Sequence, residues 1–194
     1  MASNVFRDIY RKHPSFTRLE ALLAGDSNEP VTIHGLTGSS RTVVMAGALS
    51  QQPTTHVVLL PEKEDAAYFY NDLTSLMGDD NIFFFPGTYK RSVMYDQTEP
   101  ANIILRAEVL NFLTSGRRKC IIVTYPESVM EKVVSKSSLK KNTFVIKKGA
   151  KLSIEFLEEV LREYNFKRTE FVYEPGQYSV RGSITDLFSY SADK

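Results

Sequence analysis

Tryptophan is absent, and Cys120 is the single cysteine among 194 residues. One thiol excludes an internal disulfide framework and suits a reducing compartment, so a cytoplasmic protein is expected. Cys120 begins an apolar run, Cys120-Ile121-Ile122-Val123, and reads as a buried structural thiol rather than a nucleophile. Net charge is nearly absent: 24 basic and 23 acidic residues leave +1. No global field therefore draws the chain to nucleic acid or to a membrane. No apolar run approaches the ~20 residues of a membrane-spanning helix. The first residues, Met1-Ala2-Ser3-Asn4-Val5-Phe6-Arg7, hold no apolar signal core. His13, His34 and His56 show no metal-ligand spacing with Cys120, so no metal site is expected. What remains is ordinary globular composition, 42% hydrophobic and 24% charged. It suffices for one large domain or a medium and a small one.

The most informative stretch is Gly35-Leu36-Thr37-Gly38-Ser39-Ser40-Arg41-Thr42. It follows Val31-Thr32-Ile33-His34, which reads as a strand, and it opens a helix through Val43, Val44, Met45 and Ala46. A phosphate-binding loop reads G-x-x-x-x-G-K-[ST] in this context. Gly35 and Thr42 hold the outer positions, while Ser40 replaces the second Gly and Arg41 replaces the Lys. Gly permits the backbone angles that close N–H groups around phosphates. A planar guanidinium is no conservative substitute for a compact ammonium. Gly35, Gly38, Ser40, Arg41 and Thr42 thus read as a degenerate, inactive phosphate loop. The same residues also fit an ordinary turn and helix cap.

Downstream, strand and helix signals alternate. His56-Val57-Val58-Leu59-Leu60 ends at Pro61. Ala66, Phe69, Tyr70, Leu73, Leu76 and Met77 recur at helical spacing up to Gly78. Ile82-Phe83-Phe84-Phe85 closes at Pro86-Gly87. A second helix runs from Pro100 through Leu105, Val109 and Phe112 to Gly116, and Cys120–Thr124 is another strand. This order predicts a parallel sheet with helices on both faces. A small polar linker at Ser135–Ser138 marks a boundary, giving domains at 1–138 and 139–194. The second part reads as a small α+β element. Phe144-Val145-Ile146 is a short strand, and Ser153 caps a helix with the stripe Leu157, Val160, Leu161 and Tyr164. Strand-like segments follow at Glu170–Tyr173, Tyr178–Val180 and Ser183–Phe188.

Other candidates are weaker. Glu62, Glu64 and Asp65 fit the first turn of a helix, where they complement its dipole. Lys140, Lys141, Lys147, Lys148 and Lys151 read as a solvated face. Tyr89, Lys90 and Arg91, with Tyr95, are the better nucleic-acid candidates. Arg181 beside Gly182 can offer a bidentate guanidinium to a carboxylate, or it can pair within the chain with Asp186 or Glu174. Val123-Thr124-Tyr125-Pro126 closes its strand without the acids that hold Mg²⁺.

The segment Pro175-Gly176-Gln177-Tyr178-Ser179-Val180-Arg181-Gly182-Ser183-Ile184-Thr185-Asp186-Leu187-Phe188 resembles the P-G-[EQ]-[FY]-x-x-R-G-[GSA]-[IL]-x-D-[IL]-F region of bacterial transcription-repair coupling factors (Mfd). UvrB has a related segment. The similarity extends over about the whole chain, through Phe85-Pro86-Gly87, the helix bearing Arg106 and the Ser153 helix. The resemblance implies a RecA-like, P-loop-type first domain without ATPase activity, followed by the N-terminal part of a UvrA-binding domain. Arg181 and Gly182 would meet UvrA. RNA polymerase and double-stranded DNA would be partners only through the full-length protein, an ATP-dependent translocase that uses ATP and Mg²⁺. No cofactor is expected for this chain, and the sheet of its second domain is expected to be cut short. The alternative is the N-terminal part of a UvrB-like ATPase that binds nucleotide and DNA.

Overall fold

The computed structural model describes residues 8–10, 12–25, 30–50, 52–88, 100–133 and 144–190. The chain divides into two compact units, Met1–Pro86 with Ser115–Met130, and Gly87–Thr114 with Glu131–Lys194. The expected boundary at residue 138 lies outside the described residues.

The first unit begins with α1 (Pro14–Ala24), where Pro14 takes the first turn and the His13 ring accepts from the Ser15 N–H at 3.2 Å. Helix α2 (Ser40–Leu49) buries Val44, Ala46, Ala48 and Leu49. It is followed by β1 (His56–Leu59), α3 (Lys63–Met77) and β2 (Ile82–Phe85). Glu62 precedes α3, and Glu64 and Asp65 lie in its first turn, where carboxylates favour the positive end of the helix. Helix α4 (Pro100–Thr114) belongs to the second unit, so the connection from β2 to β3 (Ile121–Thr124) leaves the first unit and returns to it. Helix α5 (Pro126–Met130) follows β3.

The fold is mixed α/β. The first unit holds a three-stranded parallel sheet in the order β1-β3-β2, with His56 and Ile82 both in register with Ile121. All four residues of β3 are buried, as a run of Ile and Val in a central parallel strand demands. Helix α3 packs on β2 and β3, and α2 packs on α3. Ala66, Phe69 and Leu73 meet Ile82, Ile121, Val123 and Tyr125 in one cluster. Each large side chain so buried contributes about 1.5–3 kcal/mol. Thr124 and Ser128 hydroxyls both donate to the Phe85 carbonyl, at 2.8 and 2.6 Å, fastening the end of β2 to the start of α5.

Three short segments expected as strands do not form them. Val31-Thr32-Ile33-His34 joins no ladder; Val31 and Ile33 instead line a groove with Phe16 and Leu19 of α1 and Val44 of α2. Pro30 before it offers no N–H, and two apolar side chains are too few to hold an extra strand in register. Among the described residues Phe144-Val145-Ile146 also has no strand partner. Phe144 is drawn instead to Phe156, their rings edge-on at 6.0 Å. Glu170–Tyr173 is loop, because side chains rather than a neighbouring strand satisfy its backbone. Ser179 Oγ donates to the Glu170 carbonyl at 2.8 Å, and Gln177 Oε1 accepts from the Tyr173 and Glu174 N–H groups at 3.0 and 3.2 Å.

In the second unit Ser153 caps α6 (Ile154–Glu163), its hydroxyl accepting from the Phe156 N–H at 3.1 Å. Leu161 is the buried point of the apolar stripe. A second three-stranded sheet follows, with β4 (Lys167–Arg168) parallel to β5 (Gln177–Arg181) and β5 antiparallel to β6 (Ile184–Phe188). Tyr178 and Ser179 are buried at 2% and 1% exposure. The β5–β6 turn is Gly182-Ser183, with Gly182 at φ 62°, the two-residue form whose twist matches paired strands.

Gly176 is held by two constraints. Its φ is +82°, and a Cβ there would overlap the Tyr190 hydroxyl. Tyr190 in turn packs on Phe166 at 5.5 Å. Gly176→Ala is therefore expected to destabilise the second unit by about 1–3 kcal/mol. Urea unfolding followed by circular dichroism measures this, and an unchanged midpoint contradicts it.

Candidate functional site

The loop before α2 keeps the first glycine of the phosphate-loop pattern, Gly35 at φ 84°, and has a further glycine, Gly38 at φ 53°. Its other groups are turned to different tasks. The Ser40 N–H and hydroxyl both donate to the Thr37 carbonyl, at 3.1 and 2.6 Å. Thr42, where a magnesium-binding hydroxyl belongs, is 3% exposed. Arg41 is exposed on the first turn of the helix. Ser39 stands at the cap in helical conformation without a side-chain capping bond. Gly35 and Gly38 thus lie in the loop, and Ser40, Arg41 and Thr42 in the first turn of α2.

The second candidate is the β5–β6 hairpin. Arg181 ends β5 opposite Ile184, and Asp186 pairs with Ser179, so Arg181 and Asp186 are diagonal neighbours on one face. Arg181 Nη2 donates to Asp186 Oδ2. The guanidinium also lies over the Phe171 ring, 5.5 Å from its centroid. Both charged side chains remain solvent-accessible, at 55% and 42%. Of the two internal partners considered from sequence, the structure selects Asp186. Glu174 instead accepts from the Gln177 amide at 3.3 Å.

Tyr89, Lys90, Arg91 and Tyr95 lie outside the described residues, as do Lys140 and Lys141. Lys147, Lys148 and Lys151 are exposed. His56 begins β1, bonds to the Thr54 hydroxyl at 3.1 Å and has its pKa lowered by burial. Cys120 is 2% exposed, and burial pushes its thiol pKa up against the opposing effect of a bond to Thr55. No three His, Cys, Asp or Glu residues among those described form a metal-binding group. No helix among them is long and apolar enough to cross a membrane.

Residues 144–194 match the UvrB interaction domain. The whole β5–β6 hairpin falls inside that match. A transcription-repair-coupling factor of Rickettsia bellii is 30% identical over 133 residues, 68% of this chain and 12% of the relative. The Bacillus subtilis transcription-repair-coupling factor is 27% identical over 161 residues, 82% of this chain and 13% of its own length. UvrABC system protein B of Vibrio parahaemolyticus is 25% identical over 187 residues, 91% of this chain and 27% of its own length. The resemblance read from the Arg181-Gly182 segment is therefore borne out. The chain spans about an eighth of the coupling factors that it resembles, 12% and 13%.

One buried polar cluster was not anticipated. In the second unit Glu131 accepts from the Thr88 N–H at 2.8 and 3.0 Å, from the Thr88 hydroxyl at 2.9 Å, and pairs with Arg106 at 3.5 Å. The Arg106 and Glu131 side chains are only 7% and 16% exposed. Sequence separation hides Thr88 and Glu131 from each other. The legible signal was a lone cation next to Leu105 and three residues before Val109, on an otherwise apolar helix face. Glu131→Ala would remove the acceptor of the Thr88 N–H and hydroxyl together with a half-buried carboxylate paired to Arg106, and is expected to cost about 2–3 kcal/mol. Denaturant unfolding would show this, and a loss below about 0.5 kcal/mol would mean that the cluster is a neutral surface pair.

Proposed function

We propose that this chain is a non-catalytic recruitment module of a transcription-repair coupling factor, binding UvrA in transcription-coupled nucleotide excision repair. The observation that carries this reading is the accessible Arg181 at the end of β5, inside the segment matched to the UvrB interaction domain. A guanidinium on a two-stranded hairpin suits bidentate bonding to a partner carboxylate, and Arg is a common interface anchor. On this reading residues 1–138 are a RecA-like first domain and residues 139–194 are part of the UvrA-binding domain. RNA polymerase, DNA, ATP and Mg²⁺ belong to the full-length protein.

The loop geometry supports the non-catalytic half of the proposal. The Ser40 hydroxyl is committed to Thr37, Thr42 is buried, and Arg41 replaces the lysine. Beyond β3, Tyr125-Pro126 offers no carboxylate for Mg²⁺. A fluorescent ATP analogue with Mg²⁺ should give no saturable signal at millimolar concentration. The similarity to UvrABC system protein B over 91% of the chain favours a second reading, a nucleotide-binding UvrB-like domain. Micromolar affinity that weakens in Thr42→Ala would establish it.

Arg181→Ala should weaken UvrA binding by about tenfold or more, the usual cost of truncating one partner of a charge-assisted interface pair. Folding should be unaffected, since an exposed ion pair contributes only about 0–1 kcal/mol. Arg181→Lys should rescue in part, because a point charge lacks the planar fork. UvrA affinity unchanged in Arg181→Ala, with an intact circular dichroism spectrum, would remove this assignment.

A further inference from the structure

We infer that Phe171 and Asp186 are positioning residues for Arg181, holding its guanidinium ready for a carboxylate on the partner. This rests on the reading of Arg181 as the UvrA contact. A long charged side chain ordinarily loses rotamer freedom when it docks, and ordering it beforehand lowers that cost. Here two groups grip the same guanidinium from different directions. Asp186 takes Nη2 along one edge, and the Phe171 ring covers one face at 5.5 Å. Among the described residues Arg181 has no other partner, so the remaining edge of the fork is available to a ligand.

The placement of Phe171 is itself built into the fold. Thr169 Oγ1 donates to the Phe171 carbonyl at 2.8 Å. Ser179, 1% exposed and on the same strand as Arg181, donates to the adjacent Glu170 carbonyl at 2.8 Å. Gln177 accepts from the next two N–H groups but one, at Tyr173 and Glu174. A loop tied in this way to β5 presents its ring at a fixed height beside the strand's last residue. Phe171 is 54% exposed, so its ring stays open to a partner beside the guanidinium. The Tyr173 ring lies tilted beside it, centroids 6.3 Å apart, and extends the same surface. An aromatic-flanked arginine is the composition that interfaces favour over Lys or Glu.

The test is a double-mutant cycle read by calorimetric titration of the 194-residue chain with purified UvrA. Phe171→Leu keeps apolar bulk but removes the ring, and is expected to weaken binding about threefold. Phe171→Tyr restores the ring and should restore affinity. Asp186→Ala should weaken binding about two- to fivefold. In the Arg181→Ala background both substitutions should have no further effect, because they act through the guanidinium. Additive losses would mean that Phe171 or Asp186 touches the partner directly, which overturns positioning. Tighter binding in Asp186→Ala would make Asp186 a competitor for Arg181 and would also overturn it. If Arg181→Ala weakens binding while Phe171→Leu and Asp186→Ala leave it unchanged, positioning alone fails. If Arg181→Ala has no effect, the UvrA contact itself fails.

Discussion

Strand β3 hydrogen-bonds to a parallel neighbour on both sides while its side chains are buried on both faces. A backbone so enclosed has no access to water, and each of its N–H and C=O groups must find a partner in the protein. The first unit is arranged around that requirement. Cys120 and Asn81 extend the ladders by accepting from the His56 and Ile121 N–H groups, each at 2.9 Å. At the other end the Thr124 carbonyl accepts from Leu60 at 2.9 Å, and its hydroxyl closes on Phe85. Helix α3 then covers the sheet with Ala66, Phe69 and Leu73, all buried in one cluster with Ile82, Ile121 and Val123.

The second unit solves the same problem by different means. Its strands are short, β4 being only Lys167–Arg168. Ladder bonds cannot satisfy the loop that follows, and the side chains of Thr169, Gln177 and Ser179 do so instead. Each is a local bond of modest worth, about 0.5–1.5 kcal/mol, yet together they fix the course of seven residues between β4 and the turn at Gly176. Order beside the hairpin thus comes from polar side chains as well as from the buried Tyr178.

The sequence was most legible where one signal dominated. The apolar runs at 56–59, 82–85 and 121–124 are the strands, and the stripe from Ala66 to Met77 lies within α3. Ser153 caps its helix as its residue type and position suggested. Reading failed where the strand-like segment was only three or four residues long and something else competed for it: a groove for Val31 and Ile33, Phe156 for Phe144, and Ser179 for the backbone at Glu170. For the candidate site, the sequence supplied Arg181, Gly182 and Asp186 as near neighbours. It could not supply Phe171, whose approach to the guanidinium depends on a loop held by side-chain bonds rather than by any periodic pattern. The Glu131 cluster escaped for a related reason, because Thr88 and Glu131 meet across 43 positions of chain.

The enclosure of β3 gives the molecule a built-in chemical clock. Cys120 sits immediately before the central strand, closed off from solvent and biased towards the protonated, unreactive thiol. Only the thiolate attacks an alkylating or disulfide reagent. Modification therefore waits for the strand to separate from its neighbours, and its rate at saturating reagent counts openings of the sheet rather than encounters at the surface. With no second cysteine to confuse the signal, the unmodified chain carries its own site-specific reporter of core opening.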